Sequence, residues 1–181
     1  MEPVEINAGT WYLRPLRADA RMDDRPAILA SCVDQEILRW RRRPPAVPAE
    51  ADAYVRHRAQ DWARDQRCTW AVCEPTTGEM RGEVELAALD LHHGVADAAC
   101  WALPAARGHG MITTAVSAML RFAFDGIGLQ RVSYLWAEGN YASGRVAAKC
   151  GFRLEGTQRS AWVVDGKRVD VHVSGRLATD R

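Results

Sequence analysis

The chain has 181 residues and a formal net charge of +1, with 24 Lys and Arg against 23 Asp and Glu. That balance gives no global pull toward nucleic acid or a membrane surface. The length suits one domain, residues 1–181, able to bury a sizeable core. Cys32, Cys68, Cys73, Cys100 and Cys150 form no CxxC pair, and no His/Cys/Asp spacing resembles a metal site. The N-terminus lacks a basic stretch followed by an apolar core, and no apolar run approaches the roughly 20 residues of a membrane span. A reduced cytoplasmic protein without metal is therefore expected. Charge is uneven locally: residues 36–67 carry eight Arg against five acids, and residues 73–100 six acids against one Arg.

TWYLRPL (10–16) reads as a short strand and residues 17–33 as a helix interrupted at Pro26. RRRPPAVPAE (41–50) is a surface loop, because three prolines block helix continuation. Helical spacing resumes over 50–66 through Ala51, Tyr54, Val55, Ala59 and Trp62. Strands follow at 68–75 and 80–91, where Val84 and Leu86 alternate with Glu83 and Glu85 as on a half-buried strand. A turn at His92-His93-Gly94 leads to a strand over 97–104. Residues 112–125 place Ile112, Val116, Met119, Leu120, Ala123 and Phe124 on one apolar helix face, with Gly126 and Gly128 beyond its end. A strand over 131–137, a short helix closing at Cys150-Gly151, and a hairpin about Asp165-Gly166 complete the chain. The order is that of an α+β or mixed α/β fold around one sheet.

The segment ARGHGMITTAV (106–116) carries the chemistry. A dinucleotide fingerprint would need glycine where Thr113 stands, and no GxxxxGK[ST] occurs anywhere. What remains is a strand, a glycine turn and a helix start. Gly108 and Gly110 let backbone approach a ligand, and the first amides of the helix have no internal partner and sit at the positive end of its dipole. Amide bonds to an ionised phosphate contribute roughly 1.5–3 kcal/mol each, so a few of them would anchor one. A turn made tight for its own sake is the alternative on these residues alone.

NYASGRVAAKCGF (140–152) supplies a second motif. Together, RGHGMIT (107–113) and NxxSxxVAxKxGF (140–152) resemble the pyrophosphate loop and second cofactor motif of the GNAT superfamily of acyl-CoA-dependent N-acyltransferases. RPLRADA (14–20), the Asp165-Gly166 hairpin and RVDVHVSGRL (168–177) are similar to its ribosomal-protein N-acetyltransferase (RimJ/RimL-like) branch, so the resemblance covers nearly the whole chain. It implies a mixed, mostly antiparallel sheet with flanking helices and a V-shaped splay between two parallel strands, here 97–103 and 131–137. Acetyl-CoA would be the acyl donor and a primary amine the acceptor, either a protein N-terminus or a small molecule. Homodimers are common in the family.

The resemblance implies that backbone groups of Trp101, Ala102 and Leu103 pair with the pantetheine arm like an added strand. Amides of Gly108, His109, Gly110, Met111 and Ile112, with the Arg107 side chain and the Thr113 hydroxyl, would hold the pyrophosphate. Asn140 would meet the pantetheine from the other strand. A strand amide near Ala102 or Leu103 would polarise the thioester carbonyl. Many relatives place a thiolate-protonating Tyr where this chain has Ala147; Ser143 matches the serine by the cofactor sulfur in RimJ/RimL-type members. Family carboxylate positions fall at Ala98 and Trp162, which leaves Glu83 and Glu85, on one strand face, as candidate bases. The acceptor groove would be lined by Trp40 with Arg41, Arg42 and Arg43, by Tyr54 and Trp62, and by Trp162. The arginine run favours an acceptor with an acidic or aromatic group. A non-catalytic acyl-CoA-binding module is the alternative, kept open by the absent Tyr.

Overall fold

The fold is described from a computed structural model over residues 1–41, 45 and 47–180. Its spine is an eight-stranded sheet ordered β1-β2-β3-β4-β5-β6-β8-β7. The strands are β1 (Ile6–Asn7), β2 (Tyr12–Arg14), β3 (Cys68–Cys73), β4 (Met80–Asp90), β5 (Val95–Ala102), β6 (Arg131–Ala137), β7 (Arg153–Val164) and β8 (Lys167–Leu177). All neighbours are antiparallel except β5 and β6. The helices are α1 (Arg25–Ser31), α2 (Gln35–Trp40), α3 (Pro48–Ala63), α4 (Met111–Arg121) and α5 (Tyr141–Lys149).

Pro26 opens α1 rather than interrupting a longer helix, and Pro48 opens α3 two residues ahead of the expected start. A first-turn residue has no use for its N–H, and the fixed φ of proline suits that place. Residues 17–24 are instead held as a loop by carboxylates: Asp19 accepts from the amides of Arg21 and Met22, and Asp24 from that of Arg17. The six-residue α2 was not expected; Asp34 caps it by accepting from Ile37 N–H at 2.9 Å. At the Asp165-Gly166 turn both residues have positive φ, 50° and 74°, as a two-residue hairpin of this twist requires.

Alternation along β3 divides the core between the two faces of the sheet. Trp70 and Val72 join the larger cluster with Leu13, Val84, Leu86, Val132 and the buried side of α4. Trp62, Trp70 and Phe122 meet edge-to-face there, with centroids 4.9 and 5.3 Å apart along the series. Ala71 and Cys73 join the smaller cluster with Ile28 of α1 and Ala51 and Val55 of α3. The expected helix runs as α4 and then a π-helical turn over Phe122–Gly126, and it is buried more widely than one stripe: Met111, Ala115 and Ala118 are buried with Val116, Met119, Leu120 and Ala123, while Ile112 and Phe124 stay half-buried.

The parallel pair decides the shape of the centre. β5 and β6 are in register from Val95↔Arg131 to Ala98↔Tyr134, and then part. Beyond that rung each keeps only its outer neighbour, β5 pairing with β4 to Gly82↔Ala102 and β6 with β8 to Ala137↔Val171. A V-shaped opening therefore lies inside the sheet.

The β2 end is fastened by a buried ion pair. Arg14 donates to both carboxylate oxygens of Asp24, at 2.8 and 2.7 Å, with side chains only 5% and 1% exposed. Removing one partner of such a pair strands a buried charge. Asp24→Ala should lower unfolding free energy by about 3–5 kcal/mol, read from urea denaturation. A loss within the error of the measurement would mean that Arg14 reaches solvent.

Candidate active site

A cleft of about 1240 Å³ occupies the opening between β5 and β6. Its walls come from both faces of the sheet. Glu83 and Trp101, opposite one another on β4 and β5, face α1 and α3. Cys100 and Tyr134 face α4 and α5. The parted strands thus join two half-sites through the sheet.

On the β5 edge, Leu103 N–H donates to the Arg81 carbonyl at 2.9 Å, so it points toward β4. Strand alternation then turns the Ala102 amide and carbonyl to the parted side. The carbonyl accepts from Arg107 Nε at 3.1 Å. Of the two amides expected near a carbonyl oxygen, that of Leu103 is committed and that of Ala102 faces the opening.

After a 3-10 turn at Pro104–Ala106 the chain enters the glycine loop. Gly108 and Gly110 have φ of 82° and 78°, a region costly for other residues, and a Cβ added at either would meet nothing within 4 Å. Gly110 caps α4, whose first backbone bond runs from Thr114 N–H to the Gly110 carbonyl at 3.0 Å. The amides of Met111, Ile112 and Thr113 precede that bond and have no helical acceptor. An open, cation-like arc of N–H groups with no side chain in front suits a diphosphate. Gly108, Gly110, Met111, Ile112 and Thr113 line the cleft, whereas His109 is exposed outside it. The Arg107 side chain lines the cleft but is already engaged, bonding Asp34 at 2.5 Å and Ala102. Arg145 and Lys149 of α5 also line the cleft and were not singled out from sequence; their i, i+4 spacing sets both on one helix face.

Asn140 caps α5, accepting from Ser143 N–H at 3.2 Å. The helix lies close over β6 because residue 144 is glycine: a Cβ there would come within 3.1 Å of the Trp136 ring. Asn140 and Ser143 line the cleft. Ser143 Oγ is 2.9 Å from the hydroxyl of Tyr134, which is 3.1 Å from Cys100 Sγ. Sequence reading missed Tyr134, because an apolar-patterned strand gives no sign of where one hydroxyl will end.

At the other half-site, both candidate carboxylates face the cleft but in different states. Glu85 is paired with Arg67 at 2.6 Å. Glu83, expected on a half-buried strand, is only 3% exposed because Tyr54 of α3 and Arg41, just past the end of α2, lie over it. Its Oε1 accepts from Tyr54 Oη at 2.8 Å and Trp101 Nε1 at 3.0 Å, with Arg41 at 3.9 Å. Its Oε2 is buried with no partner among the described residues. Burial first, then the Glu85 charge, pushes the carboxyl up to about 6, against the pull of Arg41, Tyr54 and Trp101.

Trp40 and Tyr54 line the cleft. Trp162 is half-buried on β7 opposite Val169 and is not part of the cleft wall; Trp62 is in the core. The hairpin reaches the α2 side of the cleft at its tip, where Asp165 pairs with Arg39 at 2.9 Å. Arg42 and Arg43 lie outside the described residues. Arg41 spends its charge within the protein, on Glu83, Tyr54 and Ser31, which removes it from the grounds for an acidic acceptor. Among the described residues no group of His, Cys, Asp and Glu could hold a metal, and no helix is long and apolar enough to cross a membrane.

A sequence model described as the acetyltransferase (GNAT) domain matches residues 11–153. The chain belongs to this acetyltransferase family. Its reaction is transfer of an acetyl group from acetyl-CoA to an amine, so the chain is an acetyl-CoA-dependent N-acetyltransferase. YdaF of Bacillus subtilis (strain 168), provisionally named a ribosomal N-acetyltransferase, is 29% identical over 126 residues, 68% of this chain and 69% of its own. Mycobacterium smegmatis RimJ in complex with CoA-disulfide is 22% identical with a TM-score of 0.84, covering 98% of this chain and 90% of that one. Spermidine N-acetyltransferase from Vibrio cholerae, in complex with CoA and spermine, is 19% identical with a TM-score of 0.82, covering 94% and 97%. The names YdaF and RimJ agree with the RimJ/RimL-like resemblance.

The loop geometry gives a direct test. Gly110→Val should weaken acetyl-CoA binding more than about tenfold, since a β-branched residue resists the left-handed conformation and crowds the amides. Calorimetric titration reads the affinity, and circular dichroism checks that the fold persists. Unchanged affinity in a folded variant would remove the loop as the anchor.

Proposed function

We propose that the acyl donor enters the opening from the α4–α5 face and that the acceptor amine approaches through the Glu83 half-site. In this reading the amides of residues 108–113 hold the diphosphate, with Arg145 and Lys149 adding charge. Of the β5 backbone only Ala102 presents its groups to the opening, because Trp101 and Leu103 both turn theirs to β4, so Ala102, together with Asn140, flanks the pantetheine arm. Bound acetyl-CoA supplies a thioester whose carbonyl carbon is open to attack. The Ala102 amide donates to the carbonyl oxygen, a role supported by its direction on the parted strand. Ser143 faces the departing sulfur.

Glu83 is the general base. The observation that carries this is its second oxygen, buried in the cleft wall with no partner among the described residues, while the first is held in place by Tyr54 and Trp101. A buried acceptor left without a donor is unfavourable and invites one, such as an ammonium or a water relaying its proton. Arg41, within 3.9 Å, opposes the desolvation that would otherwise keep Glu83 protonated. Glu85, neutralised by Arg67, tunes the site without sharing the task. Such a built-in base is a reason to prefer turnover over acyl-CoA binding alone.

The acceptor is a primary amine. The name of YdaF supports a ribosomal-protein amine as the class, with Trp40, Tyr54 and Trp101 as the surface it meets.

As a base, Glu83 must be ionised, so kcat/KM should fall about tenfold per pH unit below roughly 6 and level off above it. Glu83→Gln should reduce kcat/KM by about 10²–10⁴-fold and abolish that acid limb, with acetyl-CoA affinity unchanged. Steady-state rates over pH 5–8 decide it. A Gln variant that keeps both rate and acid limb would transfer the role elsewhere.

A further inference from the structure

We propose that Tyr134 is a positioning residue that fixes the Ser143 hydroxyl as a hydrogen-bond donor toward the thiol end of the acyl donor. The proposal rests on the reading in which Ser143 faces the departing sulfur, and it adds what makes Ser143 a donor there.

The hydroxyl of Tyr134 lies between two groups of the cleft wall, 2.9 Å from Ser143 Oγ and 3.1 Å from Cys100 Sγ. Cys100 and Ser143 line the cleft; Tyr134, 2% exposed, lies beneath it at the last rung before the strands part. Its ring packs on Phe152 with centroids 5.3 Å apart, so the phenol has little freedom. A phenol has one hydrogen to donate and two neighbours to choose from. Thiol sulfur is a weak acceptor and hydroxyl oxygen a good one, so the hydrogen goes to Ser143 Oγ and the Cys100 S–H turns to the phenol oxygen. Ser143 already accepts from Tyr134, and its own hydrogen is left to rotate to the cleft. The order is Cys100 to Tyr134 to Ser143 to ligand.

Burial, then the neighbouring Cys100, pushes the phenol well above its usual 10, which keeps it a donor at every working pH. It follows that Tyr134 gives up no proton. As the C–N bond forms and the C–S bond breaks, Glu83 takes the proton of the amine and Ser143 donates a hydrogen bond to the sulfur. The thiolate is released to water and protonated there, and the Cys100–Tyr134–Ser143 chain ends as it began. Ala147, where many relatives carry a tyrosine, needs no replacement on α5 itself, because the tyrosine that matters here comes from β6.

The test measures the thiol of bound free CoA rather than turnover. The far-ultraviolet absorbance of the thiolate is titrated against pH in the parent protein, Ser143→Ala, Tyr134→Phe and the double variant. Each single substitution should raise the bound thiol pKa by about one to two units, the worth of one hydrogen bond to a charged group. The double variant should go no further than Ser143→Ala. CoA affinity below the titration range and the melting temperature should stay close to the parent values. A shift in Ser143→Ala with none in Tyr134→Phe overturns the role of Tyr134 alone. No shift in either variant overturns the placement of Ser143 as well, and failure of the parent protein to bind CoA overturns the donor site itself.

Discussion

Everything in the active site depends on the parting of β5 and β6 after the Ala98↔Tyr134 rung. Two strands in the middle of a sheet ordinarily saturate one another, and separating them exposes backbone groups that must find other partners. The chain meets this partly by itself, through the Arg107 bond to the Ala102 carbonyl, and leaves the Ala102 amide facing the opening. A ligand with alternating amide groups can complete such an edge as a strand would. The separation also joins the two faces of the sheet, so that in the proposed reading a donor beside α4 and α5 and an acceptor beside α2 and α3 meet without either passing the other.

The same burial that recommends Glu83 as the proposed base makes it hazardous. A carboxylate 3% exposed is costly to ionise, and here the cost is offset by two aimed donors and a guanidinium set between the Tyr54 and Trp101 rings, 5.4 and 5.2 Å from their centroids. Arg41 belongs to the junction after α2. That helix is fastened at its start by Asp34 to Arg107, and near its end by Arg39 to the hairpin tip. The wall around Glu83, the glycine loop and the C-terminal hairpin are thereby tied to one short helix.

Local features were legible in the sequence. The glycine loop, the close of α5 at Cys150-Gly151 and the Asp165-Gly166 turn each depend on a few adjacent residues whose backbone needs are written in their types. What escaped depended on distance along the chain. Tyr54 and Glu83 are 29 residues apart, and no periodicity announces that α3 will bury the outer face of β4. α2 is too short to display a helical period and is held by a residue 73 positions away. The family resemblance puts Trp162 in the acceptor groove, but a bulge between Gln158 and Trp162, with Ser160 at φ 52°, sets the register there. Pro26 and Pro48 were read as breakers because the start of a helix cannot be told from its interruption until the preceding residues are placed.

The most direct test of the opening as the donor site is amide hydrogen exchange with and without saturating acetyl-CoA. Exchange should slow at the Ala102 amide and at those of Met111, Ile112 and Thr113, with little change along the β7 edge. Saturated binding with unaltered exchange on the parted segment of β5 and at the start of α4 would contradict the account, and would place the donor outside the sheet.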